Sequence, residues 1–346
     1  MQALAELWSG TQDGLASGLL TPFFASIGVA GYMGDPAEIA EFFMINAIQI
    51  AIIGLVFRPL ESIVPREHWP DRKLTRIDLI YTLLKEFGLV PLFTFVLLLP
   101  ASNWIGEKLG ISGGDTTLVE DLLPWLKDKP LILFALYFAI FDLTQYVIHR
   151  LQHALPWWWA LHSLHHSQRQ VNCWTDDRNH MIDDVLEAVI VGSVALIIGV
   201  PAGQYAILIL MGRLVENFSH ANVRIRFGPL IDKVLVDPLF HRLHHMRADP
   251  KDAINYNCNF ALVLPVWDIV FRTALYGEQP RPCGVDDPDI DADNERSWLG
   301  QQIAGFQRLV RALRSSWLRE PAAAAEIRQA SSAGLPARPA TDRAKA

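Results

Sequence analysis

Three short stretches of this sequence decide how the chain folds: HRLQH at 149–153, HSLHH at 162–166 and HRLHH at 241–245. Together they hold eight of the eleven histidines. On a helix, residues three and four positions apart lie on one face, so each stretch presents its imidazoles together. Neutral imidazole is the commonest metal ligand, and clusters on facing helices form metal sites inside helical bundles. Because a tetrahedral ion needs only four ligands, this number of histidines predicts two metal ions.

The composition indicates a membrane protein. Hydrophobic residues make up 51% of the chain and charged residues only 19%, and the mean hydropathy is +0.20. The apolar residues are concentrated at 37–57, 87–105 and 130–148. Each of these segments is close to the ~20 residues that a helix needs to cross a bilayer. The sequence therefore predicts an all-α fold, an integral membrane helical bundle with a histidine-rich site for two metals.

A fourth apolar stretch, 185–215, is interrupted by a Pro-Ala-Gly segment that begins at Pro201. Each half is too short to span a bilayer. His180 and His220 flank the stretch, so if both lie near the metal site, the chain has to leave and return on one side of the membrane. We expect a helical hairpin that turns at the Pro-Ala-Gly segment. Residues 14–33 are moderately apolar, and the sequence leaves open whether they are a re-entrant or interfacial helix or a span.

The charges of the loops predict the orientation in the membrane. The loop at 106–129 has three lysines among five acids, whereas the segment between the first two predicted spans is basic. Its basic residues are Arg58, Arg66, Arg72, Lys73 and Arg76. Since positive loops stay in the cytoplasm, three crossings would place His149 and everything after it on the cytoplasmic side of the inner or plasma membrane. No removable signal peptide is expected, and the net charge of −7 gives no nucleic-acid-binding face.

Several other residues are expected to have ordinary roles. Cys173, Cys258 and Cys283 lack a CxxC spacing and are expected to be free thiols, neither a disulfide framework nor iron–sulfur ligands. His68 lies in a polar loop and is expected to be a surface residue.

The remaining segments are expected at the membrane surface or in solvent. The three tryptophans at 157–159 are expected to anchor the chain at the membrane interface. The acidic run at 286–295 is expected to be a solvated loop. A short basic amphipathic helix is expected at 304–319, resting on the membrane surface.

The arrangement of the histidines favours an enzyme over other metal proteins. A zinc protease of the common type needs the string HExxH, which does not occur here. The non-enzymatic alternative is a metal transporter or another histidine-rich metal-binding membrane protein. Transporters, however, place a few ligands near the middle of the bilayer, whereas these histidines follow a predicted span and cluster beside one membrane face.

At this point a family resemblance becomes specific. Residues 142–276 contain the motifs DLTQYVIHRLQH, LHSLHHSQ, FSHANVRIRFGPL, LFHRLHH and NYNCNFALVLPVWDIVFRT in this order. They resemble the fatty acid hydroxylase and sterol desaturase superfamily of membrane di-iron oxygenases. The resemblance implies an all-helical membrane enzyme with two iron ions bound by histidines. It further implies dioxygen, two external electrons and a lipid substrate such as a fatty acyl chain, a sterol or a carotenoid.

The resemblance also implies a set of metal ligands. They are His149, His153, His162, His165, His166, His241, His244 and His245, with His220 as a further family histidine. His180 falls where many members have histidine followed by proline, here replaced by methionine, and is predicted as a ligand or as a residue behind the ligands. Glu216 stands where some members carry another histidine, and it is predicted as a ligand or as a hydrogen-bond partner of one.

Partners for the second nitrogens of the ligands are expected one helical turn away. Gln145 and Tyr146 are the predicted partners of His149, whereas Asp142 is expected to brace a neighbouring helix. The sequence has no GxGxxG fingerprint, no iron–sulfur cysteine set and no haem domain that could deliver electrons. The electrons are therefore expected from a separate ferredoxin or b-type cytochrome with its reductase. Zinc is expected to be able to replace iron, because imidazole binds both.

Four regions follow from these arguments. They are an N-terminal interfacial or re-entrant segment at 1–36, transmembrane helices at 37–129, a hydroxylase-like catalytic domain at 130–280, and a cytoplasmic tail at 281–346 that is largely disordered after 320. The functional hypothesis is a membrane enzyme that hydroxylates or desaturates a lipid.

Overall fold

In the computed structural model, the described residues are 2–28, 30, 34–89, 118–248 and 257–318, and all regular secondary structure in them is helical. The predicted all-α fold is confirmed. The predicted span at 87–105 lies outside the described residues beyond position 89. The predicted disordered tail after 320 lies outside them entirely.

The described residues form fourteen α-helices, numbered here in chain order. They are α1 (Gln2–Leu15), α2 (Thr21–Ser26), α3 (Pro36–Ile52), α4 (Arg58–Ile63), α5 (Lys73–Leu84), α6 (Leu118–Leu122), α7 (Pro130–Ala154), α8 (Pro156–His166), α9 (Met181–Ile198), α10 (Ala202–His220), α11 (Pro238–His244), α12 (Val266–Val270), α13 (Pro288–Asp291) and α14 (Trp298–Leu318). π-Helical turns at Ala16–Leu20, Ile53–Phe57 and Lys85–Leu89 continue α1, α3 and α5, and 3₁₀ turns occur at Pro124–Leu126, Thr175–Asp177, Ile231–Lys233 and Ala292–Glu295.

Among the described residues, two helices are long and apolar enough to cross a membrane. One runs through α3 and α4 for 28 residues, and the other is α7 with 25 residues. The first begins at a proline that follows Asp35, whose side chain accepts a hydrogen bond from the Ala37 amide at 2.9 Å and so caps the helix. Large apolar side chains point outward from both helices, such as Leu55 at 78% and Leu131 at 84% exposure. The helices coincide with the predicted spans at 37–57 and 130–148.

The N-terminal segment forms α1 and α2 and packs on α3. Its buried side chains Leu20 and Phe24 meet Ile39 of α3. Other large side chains of this segment stay outside the core, such as Leu19 at 59% exposure. The choice between an interfacial and a re-entrant position stays a prediction.

The largest apolar cluster joins α7 to α9 and α10. Its buried members include Tyr137 from α7, Ile198 from α9 and Leu208 from α10. Gly199 ends α9 in the left-handed conformation at φ 71°, which glycine adopts without a Cβ clash. Helix α10 begins directly after Pro201. A short turn therefore joins the two helices, and it starts at Gly199 rather than at the Pro-Ala-Gly segment. A hairpin that enters the membrane stays a prediction.

Helix α8 lies between α7 and the C-terminal helix. Leu155 interrupts the helical conformation after α7, and Pro156 opens α8, where a missing amide donor costs nothing. Every residue from Ala160 to His166 is buried. Helix α14 covers this helix, and its Arg308 donates to the Ala160 carbonyl at 3.3 Å. The predicted amphipathic helix at 304–319 is thus confirmed, although it begins earlier; its contact with a membrane stays a prediction.

The prediction of a solvated loop for the acidic run at 286–295 is wrong. The run forms α13 and a 3₁₀ turn, and Asp293 within it is fully buried. Asp293 Oδ2 accepts a hydrogen bond from Arg308 at 2.6 Å, and Asp291 accepts one from the Arg169 Nε at 2.8 Å. Asp293 and Asp291 therefore link α14, through the acidic run, to the segment that follows α8. Each of the two carboxylates has an arginine as its basic partner, which offsets the cost of removing its charge from water.

Gly305 and His180 meet where α14 passes the start of α9, which leads to a stability prediction. A Cβ at position 305 would lie 2.5 Å from His180 Cδ2. The imidazole cannot easily retreat, because its Nε2 bonds the Gln302 carbonyl at 2.8 Å and its Nδ1 accepts from the Ile182 amide. We expect Gly305→Ala to lower the free energy of unfolding by about 1–3 kcal/mol, the usual cost of overpacking. Denaturant unfolding in detergent measures it.

Gly192→Ala in α9 is the matched control. Nothing lies within 4 Å of a Cβ at that position, and alanine is the better helix former by about 1 kcal/mol. The control should be as stable as the wild type or more stable. Equal losses in the two variants would show that the His180 contact does not limit the packing of α14.

Candidate metal centre

Nine histidines from four helices converge in two groups. Group A contains His149, His153, His162, His166 and His244, and group B contains His165, His220, His241 and His245. Within each group the potential ligand atoms all lie within 4.8 Å of one another. The structure thus brings together all eight histidines of the three sequence clusters, with His220 added at the end of α10.

Group B has a compact set of donor atoms. The Nε2 atom of His220 lies 3.2 Å from that of His165, 2.9 Å from that of His241 and 3.2 Å from that of His245. The His241 and His245 Nε2 atoms are 3.1 Å apart. Four imidazole nitrogens therefore point into one small volume.

Group A is built in the same way from five histidines. The His166 Nε2 atom lies 3.1 Å from the Nε2 atoms of both His153 and His244. The His149 ring centroid lies 4.4 Å from that of His244 and 5.2 Å from that of His162. His149 and His162 therefore complete the group.

The paired histidines explain why the two groups are neighbours. His165 and His166 are adjacent in α8, yet one belongs to group B and the other to group A. His244 and His245 divide in the same way. Successive residues of a helix are turned by about 100°, so an HH pair sends its two rings to different sides. The rings of His166 and His245 stack with centroids 4.5 Å apart, which sets the two groups side by side.

The donor sets fit metal ions. Two nitrogens that bind one ion at ~2.1 Å lie ~3–3.4 Å apart, depending on the coordination geometry. The measured separations of 2.9–3.2 Å fall close to that range. Such short distances between nitrogens with no carboxylate between them are natural for ligands of a shared ion. All-imidazole donors suit iron, copper, nickel and zinc.

Burial keeps these imidazoles in the neutral form that binds metal. Desolvation lowers the pKa of His244 to about 3. It also lowers the pKa values of His165, His166, His241 and His245 well below the ordinary value, and the neighbouring imidazoles lower them further. At neutral pH these five ligands are therefore neutral, and none of them has to lose a proton before a metal binds.

Backbone carbonyls orient several of the rings through their second nitrogens. The Nδ1 atoms of His149 and His244 lie 2.8 Å from the Phe260 carbonyl and 2.7 Å from the Cys258 carbonyl. Both carbonyls belong to the irregular segment after α11. With Nδ1–H donating to a carbonyl, Nε2 carries the lone pair and faces the group. The tautomer that binds metal is thus fixed by the fold.

The predicted partners of His149 are wrong. Gln145 Nε2 donates to Glu187 at 2.9 Å, and the Tyr146 hydroxyl pairs with that of Thr273 at 2.9 Å. Sequence spacing favoured residues on the same helix, but the carbonyl that bonds His149 is more than 100 positions away in the chain.

Glu216 and His220 lie one turn apart on α10, as the sequence suggested. The backbone carbonyl of Glu216, not its carboxylate, lies 2.7 Å from His220 Nδ1. The side chain lines a cavity instead. A role of the carboxylate as a metal ligand stays a prediction, since neither group includes it.

His180 lies outside both groups. Its Nδ1 caps α9 by accepting from the Ile182 amide at 3.2 Å, and its Nε2 lies 2.8 Å from the Gln302 carbonyl. With both nitrogens engaged, we assign it to the packing of α14 rather than to the metals. His68 is exposed and lies outside both groups as well, as predicted.

Asp183 orients His162 and was not identified from the sequence. It is only 1% exposed, and its Oδ2 lies 3.3 Å from His162 Nδ1. Gln152 and Trp158 donate to its Oδ1. Trp158 is thus a buried hydrogen-bond donor, and the prediction of an interfacial anchor is wrong for it. The only signal in the sequence was an acid in the first turn of an apolar helix, beside a candidate histidine.

Two further buried acids hold the segment that supplies the carbonyls. Asp142 accepts hydrogen bonds from the amides of Val263 and Leu264, both at 3.1 Å, so it braces this segment rather than a long helix. Asp268 accepts from the amides of Phe260 and Ala261 at 2.9 and 2.7 Å. These bonds fix the carbonyls to which the ligands donate.

One cavity opens on both groups. It is lined by His149 and His162 of group A and by His165, His220 and His241 of group B. The histidines of both groups therefore face one shared space. Fold and site together define a helical protein with a paired histidine metal centre beside apolar, membrane-length helices.

The family comparison agrees with this class. Residues 134–273 match the family model described as fatty acid hydroxylase, and the match contains all nine histidines of groups A and B. This part of the chain therefore matches the fatty acid hydroxylase family, and the resemblance predicted from the sequence is confirmed.

Two curated proteins are similar over the same region. The ornithine lipid hydroxylase OlsE of Rhizobium tropici is 30% identical over 178 residues, which is 51% of this chain and 50% of that protein. The alkylglycerol monooxygenase of Caenorhabditis elegans is 30% identical over 155 residues, or 44% of this chain and 28% of that protein. The similarity thus covers half or less of each relative. No solved structure matches the chain.

The division into groups predicts how metal content responds to single substitutions. The wild type should hold about two ions per chain, one for each group of donors. His153→Ala or His244→Ala should remove the ion of group A, and His165→Ala or His241→Ala that of group B, each leaving about one ion. Elemental analysis of purified protein measures this.

His68→Ala and His180→Ala serve as the controls and should keep both ions. Loss of metal in His68→Ala together with full metal in His165→Ala would show that the centre lies elsewhere.

Asp183→Asn should weaken group A alone. Removing the negative charge beside His162 Nδ1 should make the His162 ring a weaker base and so a weaker ligand. Losses of about 10- to 100-fold in metal affinity are typical of such changes. Competition with a chelator measures the affinity of each site. Asp13→Asn, on the exposed side of α1, is the control. An equal loss in both groups would indicate general destabilisation instead of a local effect on His162.

Proposed function

We propose that this chain is an iron-dependent, membrane-bound hydroxylase of lipids. The observation that carries the proposal is the pairing of two buried all-imidazole groups on one cavity, inside a fatty acid hydroxylase domain. The relatives support the class of reaction, since one is named a lipid hydroxylase and the other a monooxygenase.

The donor set favours a pair of irons over a pair of zincs for this reaction. When bound, iron supplies the redox chemistry that dioxygen activation requires, and zinc has none. Imidazole alone does not select iron, so zinc is expected to enter the site when it is abundant. Burial lowers the pKa values of most of the ligands, backbone carbonyls set the tautomers of several, and both groups face one cavity.

The proposed reaction replaces one C–H bond of a lipid by C–OH. One oxygen atom of dioxygen enters the product, and the other leaves as water after taking up two electrons and two protons. The chain has no flavin, haem or iron–sulfur motif to supply those electrons. We therefore propose a separate donor, a ferredoxin or a b-type cytochrome with its reductase. Hydroxylation is favoured over desaturation because both relatives are named for inserting oxygen.

The membrane-length helices support a lipid as the substrate. The two membrane-length helices place an apolar surface beside the domain, and α7 carries both His149 and His153 near its end. The centre would therefore lie close to one face of the bilayer. The basic loop with Arg66 and Lys73 favours the cytoplasmic face.

The alternative function, a histidine-rich metal transporter, is less well supported. A transported ion has to leave, whereas several of these ligands are locked by backbone carbonyls at 2.7–2.8 Å and the rings are buried. Such fixed tautomers suit a resident metal.

Lipid analysis tests the proposal in cells. A strain that lacks the gene should lose a hydroxylated lipid, and the unmodified precursor should accumulate in its place. Complementation with the wild type should restore the product, and complementation with His165→Ala should not. Identical lipid profiles in the deletion and wild-type strains, grown with oxygen, would contradict a lipid hydroxylase.

The electron requirement gives an independent prediction. Purified, iron-loaded protein should not turn over with NAD(P)H and dioxygen alone, and adding a ferredoxin or cytochrome with its reductase should start oxygen uptake. Product formation in the absence of any donor protein would show that the chain accepts electrons directly from the nicotinamide.

A further inference from the structure

Two segments outside the metal centre carry exposed apolar side chains. One is the stretch 230–234 before α11, in which Leu230 is 83% exposed. The other is α12 with the residue that follows it, in which Val270 is 60% exposed. We call their most exposed side chains the apolar patch, which consists of Leu230, Ile231, Val234, Ile269, Val270 and Phe271. Exposed apolar groups gathered in this way mark an interaction surface, whereas single ones do not.

The two segments lie side by side next to α7. The Val236 amide donates to the Val263 carbonyl at 2.9 Å, and the Tyr276 hydroxyl donates to the Asp232 carbonyl at 3.2 Å. Val236 also packs in one small apolar cluster with Tyr146 of α7. The exposed side chains of the two segments therefore adjoin on the surface beside this helix.

The contacts of α12 with α7 set the level of the apolar patch along α7. The Trp267 indole donates to Asp142 Oδ2 at 2.8 Å. The Phe271 ring stacks on the Tyr146 ring with centroids 5.3 Å apart, and the Arg150 guanidinium lies over the Phe271 ring, 6.0 Å from its centroid. The three residues of α7 in these contacts are four positions apart, so they lie on successive turns of one face. Helix α12 therefore lies alongside this stretch of α7.

The same stretch of α7 belongs to the part that faces lipid. The exposed apolar side chains of α7 begin at Leu131 and end with Val147 and Leu151. From Leu131 to Leu151 the helix rises about 30 Å, which matches the thickness of the hydrocarbon core of a bilayer. Val147 and Leu151 each follow a residue that contacts Phe271, so they adjoin the face that α12 covers. The apolar patch therefore continues the lipid-facing side of α7 at the same level.

The backbone of the apolar patch satisfies its own donors, as lipid requires. The amides of Asp232, Lys233 and Val234 each donate to a carbonyl within the same turn, at 2.8–3.2 Å. The amides of Ile269 and Phe271 donate to carbonyls four residues earlier, at 3.0 and 2.9 Å. Because lipid tails offer no acceptors, a segment among them has to pair its amides internally. These turns meet that condition.

The charges around the apolar patch suit the surface of a membrane. Asp268, the acid of α12, is buried, and its carboxylate accepts hydrogen bonds from the Phe260 and Ala261 amides instead of facing outward. Three exposed bases border the patch, namely Arg150, Lys233 and Arg272. Long basic side chains keep their stems on an apolar surface and extend their charges to the phosphates of lipid heads.

We infer that the apolar patch is embedded in the bilayer beside α7, in the leaflet nearer the metal centre, without crossing the membrane. Lipid is the occupant because the patch continues a lipid-facing helix at the same level. Helix α12 has five residues, far fewer than the ~20 that a span needs. Asp268 ties α12 to the carbonyl that orients His149, so the bilayer would hold the centre at a fixed depth. The inference requires α7 to cross the membrane and does not depend on the reaction.

Fluorescence quenching in lipid vesicles tests the inference. The full chain, carrying an NBD label at Val270→Cys or Leu230→Cys, is reconstituted with phosphatidylcholine and phosphatidylglycerol. The native cysteines are buried, which directs the label to the introduced thiol. Lipids with a nitroxide on the acyl chain should quench both labels as strongly as a label at Val147→Cys, and iodide on both sides of the membrane should hardly quench them. The exposed Glu278→Cys is the control and should show the reverse.

Three outcomes would overturn the inference. Iodide quenching at Val270 and Leu230 as strong as at Glu278 would show that water covers the apolar patch. Labels that neither quencher reaches would show that protein covers it, such as a second copy of the chain. A label at Val147 that lipid nitroxides do not quench would show that α7 does not cross the bilayer, and the reaction would still be judged by lipid analysis alone.

Photo-crosslinking of the unsubstituted chain gives a second measurement that needs no variant. A phospholipid with a diazirine on its acyl chain should form adducts within 230–234, within 266–271 and within α7, as located by peptide mass spectrometry. The acidic run at 286–295 should form none. Adducts confined to the two membrane-length helices would overturn the inference.

Discussion

The need to aim nine imidazoles, eight of them buried, at two points governs this structure. A ring holds its metal-binding nitrogen in place most firmly when its other nitrogen is bonded to a fixed acceptor. The chain provides such acceptors from its irregular parts, the carbonyls of Cys258 and Phe260, and from one carboxylate, Asp183. Asp268 in turn holds the segment that carries these carbonyls, because its carboxylate accepts hydrogen bonds from the Phe260 and Ala261 amides. The metal centre therefore depends on residues that are not themselves metal ligands.

The same constraint accounts for the position of α14. Helix α8 supplies three of the nine ligands and is buried along its last two turns, so it has to be covered on every side. Helix α14 covers it, fastened by the buried pair of Arg308 with Asp293. An unpaired charge at either position would be costly, which makes the acidic turn before α14 part of the scaffold.

The family resemblance implied His220, and the sequence by itself determined the all-α fold, two membrane-length helices and the eight histidines of the three clusters. These follow from local patterns, because helical spacing places the imidazoles on shared faces and apolar runs fix helix length. Only the tertiary structure decided which histidine joins which group, the capping role of His180, and the partners of His149 and His162. Those contacts join residues far apart in the chain, and a side chain such as Gln145 has several acceptors within reach of its helix. Which acceptor it meets depends on how the helices pack, and no local spacing encodes that.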